Sequence, residues 1–251
     1  STPIKSSAAS DVYKRQSPSV VLVDTKVIAK APTRFLVAGM GDALSTYFEA
    51  RATHNSYSRV NASLPMGSRE RLTPPASGTY AALAMAKLCW EHLQEDGLNA
   101  KIACDADLVT ESLNKIVETN ILLSGLGFES GGLAAAHAIH NGMTVLEGTH
   151  HYLHGEKVAF ATLAQLVLED AETAEINAVM DFMAAIGLPL TLADLGVESI
   201  TFEEALAVAK IASIPEESIH SMPFPIVEED VANAIIVADR IGQAYKEKHH
   251  M

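Results

Sequence analysis

Cysteine is scarce: Cys89 and Cys104 are the only two in 251 residues, and they form no CxxC pair. That excludes a disulfide framework and a cysteine-built zinc site, and leaves two buried, reduced thiols in a cytoplasmic protein as the expectation. Basic charge is also short, with 18 Lys and Arg against 31 Asp and Glu for a formal net charge of -13. An acidic surface repels phosphate backbones and anionic lipid headgroups, so the expected partners are small neutral molecules or cations, with no nucleic acid and no membrane. No apolar run approaches the ~18 residues of a membrane span, and no apolar signal-peptide core opens the chain. What the chain holds in quantity is apolar material, 48% hydrophobic against 20% charged residues. That suffices for a globular body of one or two domains.

Residues 1–16, STPIKSSAASDVYKRQ, are small and polar without periodicity, and read as a non-native or disordered leader. Val20–Val23 is a β-branched apolar run closed by Asp24, which reads as one short buried strand without a sheet of its own. From Phe35 onward the texture is Ala-rich and helical, punctuated by Gly and Pro. Helices are expected near 42–53, 80–95, 101–123, 130–141, 155–169, 173–186, 202–212 and 228–246. Start signals include Asp42 after a glycine turn, a Thr201/Glu204 capping box, and first-turn acid from Glu228 to Asp230. GLGFESGG at 125–132 reads as a tight interhelical turn. Segment 54–79, polar and with three prolines, reads as a loop or insertion. His249 and His250 belong to a solvated tail.

Five of the ten histidines lie between residues 130 and 159: His137, His140, His150, His151 and His154. His137 and His140, three apart, share a helix face, and His154 stands at a helix entrance before Gly155. Neutral imidazole is the commonest zinc ligand, and a catalytic site pairs three protein ligands with one open position. The seventeen-residue step from His137 to His154 matches no short zinc motif, so such a site must be assembled from separate helices, with a carboxylate to complete it.

Three stretches, VVLVDTKVIAKAPTRFLVAGMGDALSTYFEARA, SGLGFESGGLAAAHAIHNG and HHYLHGEKVAFATLAQLVLE, closely resemble the corresponding parts of the bacterial glycerol dehydrogenase family, in the iron-containing alcohol dehydrogenase superfamily. The resemblance implies a mainly α fold. Residues 35–251 would form the helical metal-binding domain of a dehydroquinate-synthase-like fold, and residues 17–34 a remnant strand region of the α/β cofactor domain. It implies a metal, zinc or another divalent ion, held by Asp42, His137 and His154. The implied reaction takes glycerol to dihydroxyacetone with NAD, in a homo-oligomer, the metal acting as a Lewis acid. Phe128 resembles the wall of the family's substrate pocket, and His140 is expected to orient a ligand or touch substrate. His150 and His151 are expected on a surface loop. Glu49, on the helical face of Asp42, receives no role. His220 receives only a packing or interface meaning.

The sequence departs from the family where a cofactor domain would announce itself. The glycine-rich GGGK segment is absent, and GLGFESGG follows a helix and does not spell GxGxxG. The reading is therefore a polyol dehydrogenase by lineage whose chain is inactive in this form. The alternatives are a non-catalytic helical metal-binding or interaction domain, and a related superfamily dehydrogenase acting on another alcohol. Phosphorylated substrates would need Lys or Arg near the metal, and the histidine-bearing stretch at 130–159 offers only Lys157. Isothermal titration is expected to show zinc binding and no saturable NAD binding, because a pyrophosphate lacks the glycine-lined helix N-terminus that holds it. Micromolar NAD affinity would refute this.

Overall fold

The computed structural model describes residues 20–58, 60 and 78–251. The leader at 1–16 and most of the 54–79 segment lie outside the described residues. Helices account for the described fold: α1 (Thr25–Ala29), α2 (Thr33–Asn55), α3 (Tyr80–Asp105), α4 (Glu111–Glu118), α5 (Ser124–Gly131), α6 (Ala135–Gly142), α7 (His154–Leu168), α8 (Thr173–Ile186), α9 (Phe202–Ala212) and α10 (Glu228–His249). A π turn at Thr119–Leu123 joins α4 to α5. This is the mainly α architecture that the Ala-rich texture predicts.

Helix α7 is the axis of the core. Val158, Phe160, Leu163 and Leu166 are all at most 1% exposed, and a helix apolar on every side must be wrapped by others. Its neighbours are α2, α6, α8 and α10. Where α2 crosses α7 the two backbones touch through glycine: a Cβ on Gly41 would lie 2.5 Å from the Gly155 carbonyl oxygen, and one on Gly155 would overlap the Ala38 carbonyl. This explains why GMGDA is no turn. Asp42 stands in the middle of α2; Gly41 before it serves the crossing, and Gly39 gives room to Asn120 of the π turn, whose Nδ2 would lie 2.7 Å from a Cβ there.

Three other expectations need correction. Val20–Val23 forms no strand and is exposed, from 36% at Val23 to 93% at Leu22; a strand needs a partner ladder, and none exists among the described residues. GLGFESGG is helix α5 up to Gly131. Its Gly127 and Gly131 lie against α2, where a Cβ would meet Thr46 Cγ2 at 2.5 Å and Ala50 Cβ at 2.8 Å, so these glycines permit close packing along a helix. The actual break falls at Gly132, with φ of 92°, which is why α6 starts at Ala135 and not at 130. Finally, α3 continues through Gly97 to Asp105; its glycine faces Phe182, whose Cε2 would sit 2.8 Å from a Cβ there. The break comes at 106–110, where Thr110 caps α4 by accepting from the Leu113 N–H at 3.2 Å. The Thr201/Glu204 capping box opens α9 as its sequence predicts.

Gly155→Ala should cost roughly 1–3 kcal/mol or more, because the opposing atoms are backbone and cannot rotate away. Gly125→Ala is the control: nothing lies within 4 Å of its Cβ position, and Ala should leave α5 unchanged or stabilise it by about 0.5–1 kcal/mol. Thermal melts of both variants check the pair; equal melting temperatures would show that the crossing is not tight.

Candidate metal centre

The glycine crossing has a direct consequence for the residues beside it. Asp42 follows Gly41 on α2, and His154 precedes Gly155 as the first residue of α7. Their side chains therefore meet: His154 Nε2 lies 3.2 Å from Asp42 Oδ1. His137, in the first turn of α6, brings Nε2 to 3.3 Å from the same oxygen and 3.4 Å from His154 Nε2. Three donors from three helices thus form a nearly equilateral triangle. For bonds of about 2.0–2.1 Å, the edge of a tetrahedron around zinc is roughly 3.3–3.4 Å, so the triangle has the size of one tetrahedral face.

A fourth residue holds His137 in place. Glu49, two turns after Asp42 on α2, is 0% exposed. Its Oε1 accepts from the backbone N–H of Ala134 at 2.9 Å and of His137 at 3.0 Å, and its Oε2 meets His137 Nδ1 at 2.6 Å. Helix α6 has no side-chain cap of its own, since Ala134 occupies the N-cap position. Glu49 supplies that cap from another helix, with its negative charge at the positive end of α6. Gln165 adds to it, accepting from Ala136 N at 2.9 Å. The sequence places Glu49 seven residues after Asp42 on the same helix face but gives it no role, because the group it caps belongs to α6, which only the fold brings there.

The electrostatics call for a cation. Asp42 Oδ1 is buried and no donor reaches it with hydrogen-bond geometry. Burial alone would push the Asp42 carboxyl up, yet His137 and His154 beside it hold it well below the usual carboxylate range. Burial would likewise push His137 down, but Glu49 and Asp42 raise it to about 10. An oxygen without a donor, two imidazole nitrogens and two carboxylates together suit one divalent ion, and one carboxylate with two imidazoles is a zinc-type donor set. These residues fit the metal that the motifs imply.

A cavity of about 360 Å³ opens beside the triangle, lined by Asp42, His137 and His154 together with Thr46, Asn120, Ser124, Phe128 and Leu133. Phe128, 41% exposed on α5, lies in this wall. His140 does not line it. Its ring packs edge-on to His154, with centroids 4.3 Å apart, and its Nδ1 is 3.2 Å from Asn141 Oδ1. Burial, with His154 and Lys157 nearby, pushes His140 down to about 4, so a neutral ring buttresses His154. His150 and His151 are exposed on a short 3-10 turn, Glu147–His151, in place of a plain loop. His220 holds two carbonyls, Ser213 O and Ile214 O, at 3.1 Å. Cys89 and Cys104 are buried free thiols.

No protein-family model matches the chain. Named relatives do. The chain is 50% identical over 235 residues to glycerol dehydrogenase of Thermotoga maritima, covering 94% of this chain and 61% of that protein. It is 49% identical over 232 residues to glycerol dehydrogenase of Citrobacter freundii, covering 92% of this chain and 60% of that protein. The crystal structure of a probable glycerol dehydrogenase from Sinorhizobium meliloti superposes with a TM-score of 0.83 at 43% identity, over 91% of this chain and 61% of that one. The chain thus spans about three fifths of the length of the relatives it matches, and its helices match the helical domain of the iron-containing alcohol dehydrogenase fold.

The entrance of α7, which carries His154, rests on one ion pair. Glu156 accepts from Leu153 N at 2.7 Å and from Arg34 at 2.6 and 2.8 Å. Burial raises the Glu156 carboxyl, but Arg34 and the Leu153 N–H outweigh it and hold it below its ordinary value. A depressed folded-state value contributes stability above the unfolded value, lost as pH falls through the folded one. With Arg34 half-exposed, the pair is discounted to about 1 kcal/mol. Arg34→Met should lower the melting temperature by about 2–4 °C at neutral pH, and the gap should close below about pH 4. A gap that persists in acid would show that Arg34 acts by packing.

Proposed function

We infer that this chain, a homologue of glycerol dehydrogenases over nearly its whole length, holds one zinc ion on Asp42, His137 and His154 and serves a polyol dehydrogenase that oxidises glycerol to dihydroxyacetone with NAD. The observation that carries the reading is the triangle of three donors from three helices, 3.2–3.4 Å on edge, open to a cavity on one side. A divalent ion there supplies Lewis-acid polarisation of an alcohol oxygen at its open position.

The protein's own residues shape what can approach. Phe128 and Leu133 offer apolar wall to a short carbon chain, while the Thr46 and Ser124 hydroxyls, 3.0 Å apart, and the Asn120 amide offer partners to further hydroxyls. Neither Lys nor Arg is among the described residues lining the cavity. A substrate phosphate would go unpaired there, so the lining favours a neutral polyol over a phosphorylated alcohol. The two buried thiols suit a reducing compartment, and the cytoplasm is the proposed location.

Asp42→Ala, His137→Ala and His154→Ala should each weaken zinc binding by about 100-fold or more, since two remaining ligands rarely retain a catalytic metal. His150→Ala should change it little. In the cobalt-substituted chain, glycerol should alter the visible d–d bands and glycerol 3-phosphate should not. Stoichiometric zinc retained by His137→Ala, or a stronger response to the phosphorylated alcohol, would overturn the assignment.

A further inference from the structure

Glu49 does more than cap a helix. We propose that it is a positioning residue of the metal centre, one that holds His137 with its proton on Nδ1 so that Nε2 turns its lone pair toward Asp42 and His154. The inference rests on the metal reading above and adds to it the device that presents one ligand.

A carboxylate only accepts, and Glu49 accepts on both oxygens from groups of α6. Its 2.6 Å contact with the ring therefore makes Nδ1 the donor, and a neutral imidazole with Nδ1–H carries its lone pair on Nε2. That atom is the one 3.3 Å from Asp42 Oδ1. Because Oε1 binds the His137 backbone N–H while Oε2 binds its ring, one carboxylate fixes both ends of the side chain and so its rotation. Glu49 is 0% exposed, so water does not compete for these bonds. Asp42 and Glu49 share helix α2, and the ligand and the group that aims its neighbour are set by a single rigid element.

Glutamine at this position separates capping from positioning. It has one acceptor oxygen where glutamate has two. If that oxygen keeps the two backbone bonds, the amide NH₂ faces Nδ1, which must then accept, and Nε2 carries the proton and cannot ligate. The cap survives and the ligand tautomer is lost. A merely structural Glu49 would instead act equally whether or not His137 is present.

The test is zinc affinity of the full chain, read by competition with a chromophoric chelator. Glu49→Gln is expected to weaken zinc binding about 10–100-fold, and to cause no further loss when added to His137→Ala. Wild-type affinity in Glu49→Gln, or an equal loss in both backgrounds, would overturn the proposal while leaving the metal reading intact. Wild-type protein that takes up no zinc would instead sink the metal reading, and the proposal with it. Should the variant fail to fold, long-range ¹H–¹⁵N spectra of zinc-loaded wild type decide: a slowly exchanging His137 Nδ1–H with a metal-shifted Nε2 is expected, and coordination through Nδ1 would refute the idea.

Discussion

The approach of α2 and α7 at Gly41 and Gly155 is the constraint from which the site follows. With no side chain at either position, the helices meet backbone to backbone, and any Cβ at Gly155 would overlap the Ala38 carbonyl. Asp42 and His154 flank the crossing, so their separation of 3.2 Å is set by helix packing. Close-packed interiors do not deform continuously. A side chain carried by such a crossing is held more firmly than one on a loop, which suits a donor that must meet two others within a few tenths of an ångström.

The third donor arrives by a different route. Helix α6 is eight residues long and starts without a capping side chain of its own, which makes it marginal in isolation. It borrows acceptors from the two helices that cross: Glu49 from α2 and Gln165 from α7. The bonds that stabilise the helix are the bonds that aim His137. The cap of α6 and the placing of His137 therefore both depend on the packing of α2 and α7.

Charge completes the arrangement. Asp42 and Glu49 face opposite ring nitrogens of His137 and raise it to about 10, His137 and His154 hold Asp42 far below its usual range, and burial keeps His140 low, at about 4. Positive charge is favoured at the triangle and disfavoured one helical turn away. The adjoining cavity brings hydroxyl, amide and aromatic groups and no Lys or Arg among its described lining.

Much of this was legible in the sequence. Ala-rich periodicity announces a helical body, because apolar spacing is local and survives without neighbours; the boundaries of α8 and α9 at Thr173–Ile186 and Phe202–Ala212 coincide with the expected ones. The motifs named Asp42, His137 and His154 as one set. What the sequence could not reveal lies wherever two helices touch. Glycine reads locally as a breaker, so GMGDA and GLGFESGG looked like turns; in the fold they are places where another helix needs the room. Val20–Val23 has strand composition, but a strand is defined by its partner. Glu49 has the composition of a solvated helix face, and only the arrival of α6 turns it into a buried acceptor of three N–H groups. The sequence by itself determined which segments could be helices, a property of short spacings; Asp42, His137 and His154, 95 and 17 residues apart, were joined as one set only through the family resemblance of their motifs. Tertiary structure alone decided which helices cross, and through that crossing how far apart the donors sit and which nitrogen of His137 faces them.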